Sequence, residues 1–156
     1  MADLQVVADP GTHEIQITRS FDAPRELVYK AFTDPDAVRQ WWGQRDSETI
    51  VDRLEARAGG QWRFVQRSQD GNEHGFHGVY HEAIAPERIV YTFEWEGMPG
   101  HVLLETVTLE EQDGKTHMTD ISVFQSVADR DGMLQSGMES GAAESFDRLD
   151  EYLARR

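Results

Sequence analysis

Alternation of apolar and polar residues predicts β-strands over most of the chain. In the run HEIQITRSF, which begins at His13, Ile15 and Ile17 share one side with Arg19, which is typical of a strand with one buried face. Several more alternating segments lie between about residues 48 and 125, with no helical period between them, which favours antiparallel hairpins over strand–helix–strand crossovers. The turn sequences that separate them are Ala58–Gly60, Asp70–Asn72, Ala85–Glu87, Gly97–Gly100 and Asp113–Gly114.

Helical spacing replaces the alternation directly after the first strand. One short helix is predicted to be capped by Asp22 and entered through Pro24. A second is predicted to begin with Asp34 as its cap and Pro35 in its first turn, and to end at Gly43. We therefore expect two short helices in succession.

The end of the sequence predicts one long amphipathic helix over residues 129–153. Its apolar stripe consists of Leu134, Met138, Ala142, Phe146, Leu149 and Leu153. A strongly twisted antiparallel sheet that curls around such a helix buries the stripe and one sheet face together. The sequence thus predicts an α+β fold: one strand, two short helices, about six further strands and a long helix, in one domain over residues 13–156 after an N-terminal arm of residues 1–12.

Charge and composition limit the partners. The 156 residues include 15 Lys and Arg against 29 Asp and Glu, a net charge of −14. Such a surface repels phosphate backbones and anionic lipids, so we expect neither a nucleic-acid nor a membrane partner. The chain has no cysteine, no signal sequence and no apolar run of membrane-spanning length, so we expect a cytoplasmic protein without disulfides or thiolate chemistry.

Aromatic residues recur at every second position on three predicted strands, so each set lies on one face and all can meet inside the sheet. The simplest interpretation is an aromatic core. However, the last helix carries Gly137 and Gly141 among small residues, and each interior glycine costs about 1 kcal/mol relative to alanine. Either a strand approaches closely there or space is left for a ligand. The candidate ligand-binding residues are Trp41, Trp42, Trp62, Phe64, Phe76, Tyr80, Tyr91, Phe93, Trp95, Met133, Met138 and Ala142.

Histidines and carboxylates give no convincing catalytic or metal site in the sequence. His77 and His81 are four residues apart on a predicted strand, about 13 Å between backbones, too far to share one ion. Four acidic residues, Glu82, Glu94, Glu105 and Asp120, lie in predicted strands, mostly opposite the aromatic face, where we expect solvated carboxylates. We predict no metal, no cofactor and no catalytic residue.

Three stretches together resemble a known family: ITRSFDAPRELVYKAFTDPDAVRQWWG, GGQWRFVQRSQDGNEHGFHGVYHEAIAPERIVYTFEWEG and GMESGAAESFDRLDEYL. They are similar to the activator of heat shock protein 90 ATPase homologue-like family, within the START-like (SRPBCC) superfamily of helix-grip proteins. The resemblance implies six or seven antiparallel strands gripping the last helix around a deep cavity. Superfamily members bind lipids, sterols, polyketides and other hydrophobic ligands, and some are cyclases or hydrolases. Relatives often have a tryptophan where this chain has Ala142, which implies a wider cavity here.

Three functions follow as hypotheses. The first is a binding protein for a small hydrophobic or aromatic molecule, and the second is a cyclase- or hydrolase-type enzyme using the same cavity. The third is an interaction module of the chaperone-partner kind, although nothing in the sequence matches the separate chaperone-binding domain of the family's namesake. We expect a monomer or a homodimer. Of the adjacent Trp41 and Trp42, we expect one to anchor its helix in the core and the other to line the cavity entrance.

Overall fold

The computed structural model describes residues 4–155, which form eight strands and four helices. The strands are β1 (Gln5–Val7), β2 (Glu14–Phe21), β3 (Ser47–Leu54), β4 (Gln61–Ser68), β5 (Glu73–Ile84), β6 (Arg88–Trp95), β7 (Val102–Gln112) and β8 (Lys115–Val123). The helices are α1 (Arg25–Thr33), α2 (Pro35–Trp41), α3 (Val127–Gln135) and α4 (Met138–Ala154). This is the predicted α+β arrangement, with every predicted turn sequence lying between two strands.

All eight strands form one antiparallel sheet in the order β1-β2-β8-β7-β6-β5-β4-β3. The count exceeds the predicted six or seven because part of the expected N-terminal arm is a strand. Val6 lies opposite Ile17 in an antiparallel pair, so β1 forms one edge of the sheet. Three residues are too short an alternation to be recognised in the sequence. Residues 1–3 of the predicted arm lie outside the described residues.

The two short helices carry the chain from β2, near one edge of the sheet, to β3 at the other edge. Asp34 caps α2 as predicted, accepting a hydrogen bond from the Asp36 N–H at 3.0 Å. The predicted cap of α1 is wrong: Pro24, not Asp22, is the residue before the helix, and no side chain caps it. A proline has the fixed φ that suits a helix entry, and it shifts the start of α1 by two residues.

The predicted long final helix is interrupted. Gly137 has φ +87°, a left-handed conformation, and separates α3 from α4. The apolar residues keep a spacing of three or four across both helices. This periodicity therefore gives no sign of the break at Gly137. Gly137 is therefore a helix break, and only Gly141 of the two glycines is a helix-interior residue.

The core forms where the C-terminal half of α4 lies on β2, β7 and β8. From α4 it contains Phe146, Leu149, Tyr152 and Leu153, and from the sheet Ile15, Ile17, Phe21, Leu103, Val107, Leu109 and Met118. Arg19 points to the same inner side, is 4% exposed, and pairs with Asp147 at 3.1 Å and Asp150 at 3.6 Å on α4. This half of α4 is therefore attached to the sheet by both apolar packing and a buried guanidinium.

Replacing Gly137 or Gly141 with alanine should change the free energy of unfolding in opposite directions. Gly137→Ala places a side chain in a left-handed conformation and should lower the free energy of unfolding by about 1 kcal/mol. Gly141→Ala meets no atom within 4 Å of its new Cβ and should raise that free energy by up to about 1 kcal/mol through helix propensity. Urea unfolding of both variants measures the two effects, and equal shifts of the same sign would contradict this account of the helix break.

Candidate functional site: a cavity between the sheet and the last two helices

A cavity of about 860 Å³ lies between the concave face of the sheet and the helices α3 and α4. Its lining combines aromatic rings from β4, β5 and β6 with small residues from the helices. Every candidate ligand-binding residue predicted from the sequence lines it: Trp41, Trp42, Trp62, Phe64, Phe76, Tyr80, Tyr91, Phe93, Trp95, Met133, Met138 and Ala142. The structure thus brings the whole predicted set together around one space.

The rings on β4, β5 and β6 form a packed cluster centred on Trp62, which we call the aromatic wall. It consists of Trp62, Phe64, Phe76, Tyr80, Tyr91 and Phe93. The Trp62 ring lies 4.8 Å from Phe64 and 5.7 Å from Phe93, measured between centroids. Its Nε1 donates to the Thr92 carbonyl oxygen at 3.1 Å, which satisfies the only polar atom of the indole. A Cβ at Gly78 would lie 1.8 Å from that carbonyl oxygen and 2.6 Å from the Trp62 Nε1. Gly78 therefore allows the close approach that fixes this wall.

The helix wall is open by comparison. Gly132 in α3 and Gly141 in α4 both line the cavity, and a Cβ on either would meet nothing within 4 Å. Of the two explanations that the sequence left for Gly141, close approach of a strand is therefore excluded, and unfilled space remains. The aromatic residues form one wall of this space and do not extend across it.

Exposed side chains surround the mouth of the cavity. Trp95 is 38% exposed and Met98 47% exposed, and both line the cavity. The Trp95 ring lies 6.2 Å from the His74 ring, while His101 pairs with Asp129 at 3.0 Å at the start of α3. The entrance thus lies between the ends of β5 and β6 and helix α3.

The adjacent tryptophans have different surroundings. Trp41 is 4% exposed, stacks on Phe32 at 5.1 Å and on Phe146 at 6.0 Å, and donates from Nε1 to the Ala31 carbonyl oxygen at 2.9 Å. It anchors α2 in the core. Trp42 is half-buried and reaches the other wall instead.

Trp42 lies edge-on to Phe64 at 5.1 Å and to Phe76 at 5.5 Å. Its carbonyl oxygen accepts hydrogen bonds from Thr49 and Gln66, and the next residue, Gly43, turns the chain at φ +93°. Trp42 thus joins the aromatic wall and extends it towards α2. Both tryptophans border the cavity; Trp41 is a buried member of the hydrophobic core around α4, whereas Trp42 is partly buried and packs against that core.

Two acidic side chains that we expected in solvent line the cavity instead. Glu105 on β7 and Asp120 on β8 point to the concave face, and Asp120 is only 6% exposed. The Ser122 hydroxyl donates to Glu105 at 3.2 Å, and the Tyr91 hydroxyl also interacts with this carboxyl group. The two carboxyl groups are in contact with each other, while Oδ1 of Asp120 is buried with no hydrogen-bond donor of the described protein within reach.

A signal for these two residues was present in the alternation. Glu105 has the same parity as the buried Leu103 and Val107, and Asp120 the same parity as the buried Met118 and Ser122. The charge of these two side chains suggests a solvent-exposed position, but their position in the strand places them on the buried face. The strand period decides the face, and the charge then has to be accommodated there.

Burial raises the pKa of both carboxyl groups. The pKa of Asp120 lies well above its ordinary range because the group is desolvated and faces the negative charge of Glu105. Burial also raises the pKa of Glu105, while the hydrogen bonds from Tyr91, Ser122 and Asp120 oppose that rise. The pair therefore holds a proton under conditions in which surface carboxyl groups have lost theirs.

The convex face of the sheet carries the other two acidic residues, Glu82 and Glu94, and the two histidines His77 and His81. His81 is exposed, and Glu82 pairs with Arg88 at 2.7 Å. His77 interacts with Glu94 at 3.4 Å and with Glu96 at 2.8 Å. Among residues 4–155 no three His, Asp or Glu side chains are grouped so that they could hold a metal ion, and no helix is long and apolar enough to cross a membrane.

The comparisons with known proteins agree with this geometry. Residues 22–154 match the model of the family described as "Activator of Hsp90 ATPase homolog 1-like protein". The chain belongs to this family. None of the curated proteins compared with the sequence matches it significantly.

Solved structures share the fold of this family member. A crystal structure of a protein from Rhodobacter sphaeroides superposes with a TM-score of 0.91 at 24% identity, covering 99% of this chain and 100% of that one. A solution structure of a protein from Arthrobacter aurescens has a TM-score of 0.89 at 26% identity, covering 97% of this chain and 92% of that one. A crystal structure from Mycobacterium smegmatis has a TM-score of 0.87 at 22% identity, covering 97% of each. The predicted helix-grip fold is confirmed.

The Glu105–Asp120 pair should make the free energy of unfolding of this family member depend on pH. Above about pH 4 the unfolded chain loses the proton of Asp120, whereas the folded protein keeps it. The folded state then binds more protons, so this group lowers the free energy of unfolding as pH rises towards its folded pKa, by about 1.4 kcal/mol for each pKa unit of the shift.

Asp120→Asn cannot titrate and removes this contribution. We expect the free energy of unfolding of Asp120→Asn, relative to the wild type, to increase as pH rises from about 4. Urea unfolding between pH 4 and pH 8 measures the difference. Glu110→Gln, an exposed residue on the outer face of β7, is the control and should show no such slope. A difference for Asp120→Asn that does not change with pH would contradict the raised pKa.

The two tryptophans should contribute unequally to stability. Trp41→Ala removes a fully buried ring and leaves the Ala31 carbonyl oxygen without its donor, so we expect a loss of about 3–5 kcal/mol. Trp42→Ala removes a half-buried ring that borders unfilled space, so its loss should be smaller. Urea unfolding compares them directly. Losses of the same size would mean that Trp42 is as much a core residue as Trp41.

Proposed function

We propose that the protein binds a small apolar or aromatic molecule in the cavity between the sheet and helices α3 and α4. The observation that carries the proposal is an open cavity of about 860 Å³ with aromatic rings on one wall and unfilled space at Gly132 and Gly141 on the other. Sites for small molecules usually measure about 300–1,000 Å³ and are lined mostly by apolar side chains. The size and the lining of this cavity agree with both criteria.

The helix sequence supports a cavity that is kept open. A glycine in the interior of a helix costs about 1 kcal/mol relative to alanine, and at Gly141 no neighbouring atom requires it. Gly141 lines the cavity, so the absence of a side chain there leaves space for a ligand. Ala142 beside it is another small cavity-lining residue.

A second function, an enzyme that uses the same cavity, is favoured by one observation. Such an enzyme needs an ionisable group that faces the ligand with a shifted pKa, and Glu105 and Asp120 meet this requirement. A carboxylic acid beside a carboxylate can donate and accept a proton in one site. Mass spectrometry of a bound ligand before and after incubation separates the two functions, since a binding protein returns it unchanged.

The binding function predicts that filling the cavity abolishes binding without harming the fold. N-phenyl-1-naphthylamine, an apolar probe that is uncharged at pH 7 and fluoresces in apolar surroundings, should bind to the wild-type protein. Gly141→Leu places a side chain into the open space and should weaken this binding at least tenfold, about 1.4 kcal/mol. Fluorescence titration measures the affinity, and thermal unfolding checks that the variant is folded.

Ser140→Leu is the matched control for this experiment. It adds the same side chain to the neighbouring, exposed position of α4, outside the cavity lining, and should bind the probe like the wild type. The proposal fails if the wild-type protein does not bind the probe, or if Gly141→Leu and Ser140→Leu bind it equally well.

A further inference from the structure

The two inward carboxyl groups form a cluster on the sheet wall of the cavity. In the pairing of β7 with β8, Glu105 lies opposite Ser122 and Asp120 lies opposite Val107, so the two acidic residues are diagonal neighbours on the concave face. Their carboxyl groups touch, and both line the cavity. Asp120 is 94% buried, and its Oδ1 finds no donor in the described protein.

The remaining lining offers no positive charge to balance them. Within residues 4–155, no lysine or arginine lines the cavity. Its two histidines, His74 and His101, are exposed residues at the mouth, and His101 is already paired with Asp129. The buried guanidinium groups of Arg19 and Arg130 pair with other carboxylates and are not part of the lining.

Two touching carboxyl groups need a proton between them, because a carboxylate can only accept hydrogen bonds. When it holds one proton, the pair carries one negative charge. The groups that Ser122 and Tyr91 direct at Glu105 are neutral hydroxyls, so they bring no counter-charge. A buried charge without a partner costs several kcal/mol, so the cavity favours an occupant that brings one positive charge to this point.

One aromatic ring interacts with the pair, and two further rings lie beside that ring. Tyr91, whose hydroxyl interacts with Glu105, lies 5.9 Å from the Trp62 ring and 5.8 Å from the Tyr80 ring. The faces of such rings attract a cation, most strongly when water is excluded. The pair of carboxyl groups and the rings next to it therefore select for the same kind of group, a cation joined to an apolar body.

We infer that the ligand is an apolar molecule bearing a protonated amine, and that the Glu105–Asp120 pair binds this ammonium group while the aromatic wall holds the apolar part. The inference rests on the proposed function, since it concerns the ligand of the same cavity. The ammonium group donates to the carboxyl group of Glu105, which is only partly buried and lines the cavity, and its charge balances that of the pair.

A pair of matched probes tests this selectivity: 1-pyrenemethylamine, which is protonated at pH 7, and 1-pyrenemethanol, its neutral counterpart of nearly the same shape. Fluorescence titration at pH 7 should show that the wild-type protein binds the amine at least tenfold more tightly than the alcohol, a difference of about 1.4 kcal/mol. The double variant Glu105→Gln/Asp120→Asn keeps the shapes of both side chains and removes both ionisable groups, so it should reduce this preference to less than threefold.

The control variant is Glu110→Gln, which removes the same charge from an exposed position on the outer face of β7. It should keep the full preference for the amine, which separates binding at the pair from general attraction to an acidic protein. Raising the salt concentration should likewise leave the preference of the wild-type protein largely unchanged, because the pair is buried and weakly screened.

The outcomes separate this inference from the proposed function. If the alcohol and the amine bind with equal affinity, the protein is a binder of apolar molecules and the carboxyl pair does not select an amine. If Glu110→Gln reduces the preference as much as the Glu105→Gln/Asp120→Asn double variant does, surface charge explains it and the inference is wrong. If neither pyrene probe nor N-phenyl-1-naphthylamine binds, the proposed function and the inference both fail.

Discussion

The cavity depends on the way the last helix is held. Only the C-terminal half of α4, from Phe146 onwards, lies in the core, where apolar packing and the buried Arg19 attach it to the sheet. Before Phe146 no residue of the helix is fully buried, and Gly141, Ala142 and Ser145 line the cavity with small side chains or none. The left-handed Gly137 ends α3 before α4 begins, and α3 borders the mouth of the cavity. A helix packed along its full length would leave no space of this size between the sheet and the helices.

The short helix α2 and the turn after it also contact the C-terminal half of α4. Trp41 stacks against Phe146 of α4, and the guanidinium of Arg148 donates to the carbonyl oxygens of Gly43 and Gln44 at 2.9 and 3.0 Å. These contacts join α2, the turn after it and α4 into one unit. Close packing around the C-terminal half of α4 stabilises the fold. The cavity beside the other half of α4 can therefore stay unfilled while the protein remains folded.

The polarity of the cavity follows from two strands whose inner faces are not wholly apolar. Along β8 the inward residues include Met118, Asp120 and Ser122, and along β7 Glu105 stands between Leu103 and Val107. Placing two carboxyl groups on a desolvated surface raises their pKa values and makes them share a proton. The cavity is thus an apolar space with one acidic point, and this combination distinguishes it from an ordinary gap in packing.

The sequence by itself determined the order of elements, the turns between the strands, the cap at Asp34 and the set of aromatic residues that meet inside the sheet. These features depend on periods of two or about 3.6 residues and on local turn chemistry, which neighbouring residues settle among themselves. The tertiary structure alone decided that β1 pairs with β2, that Gly137 breaks the last helix, and that Glu105 and Asp120 meet across two strands. Each of these depends on partners far away in the chain: the pairing of β7 with β8 brings the two carboxyl groups into contact, and the half-anchored α4 leaves the space that they face.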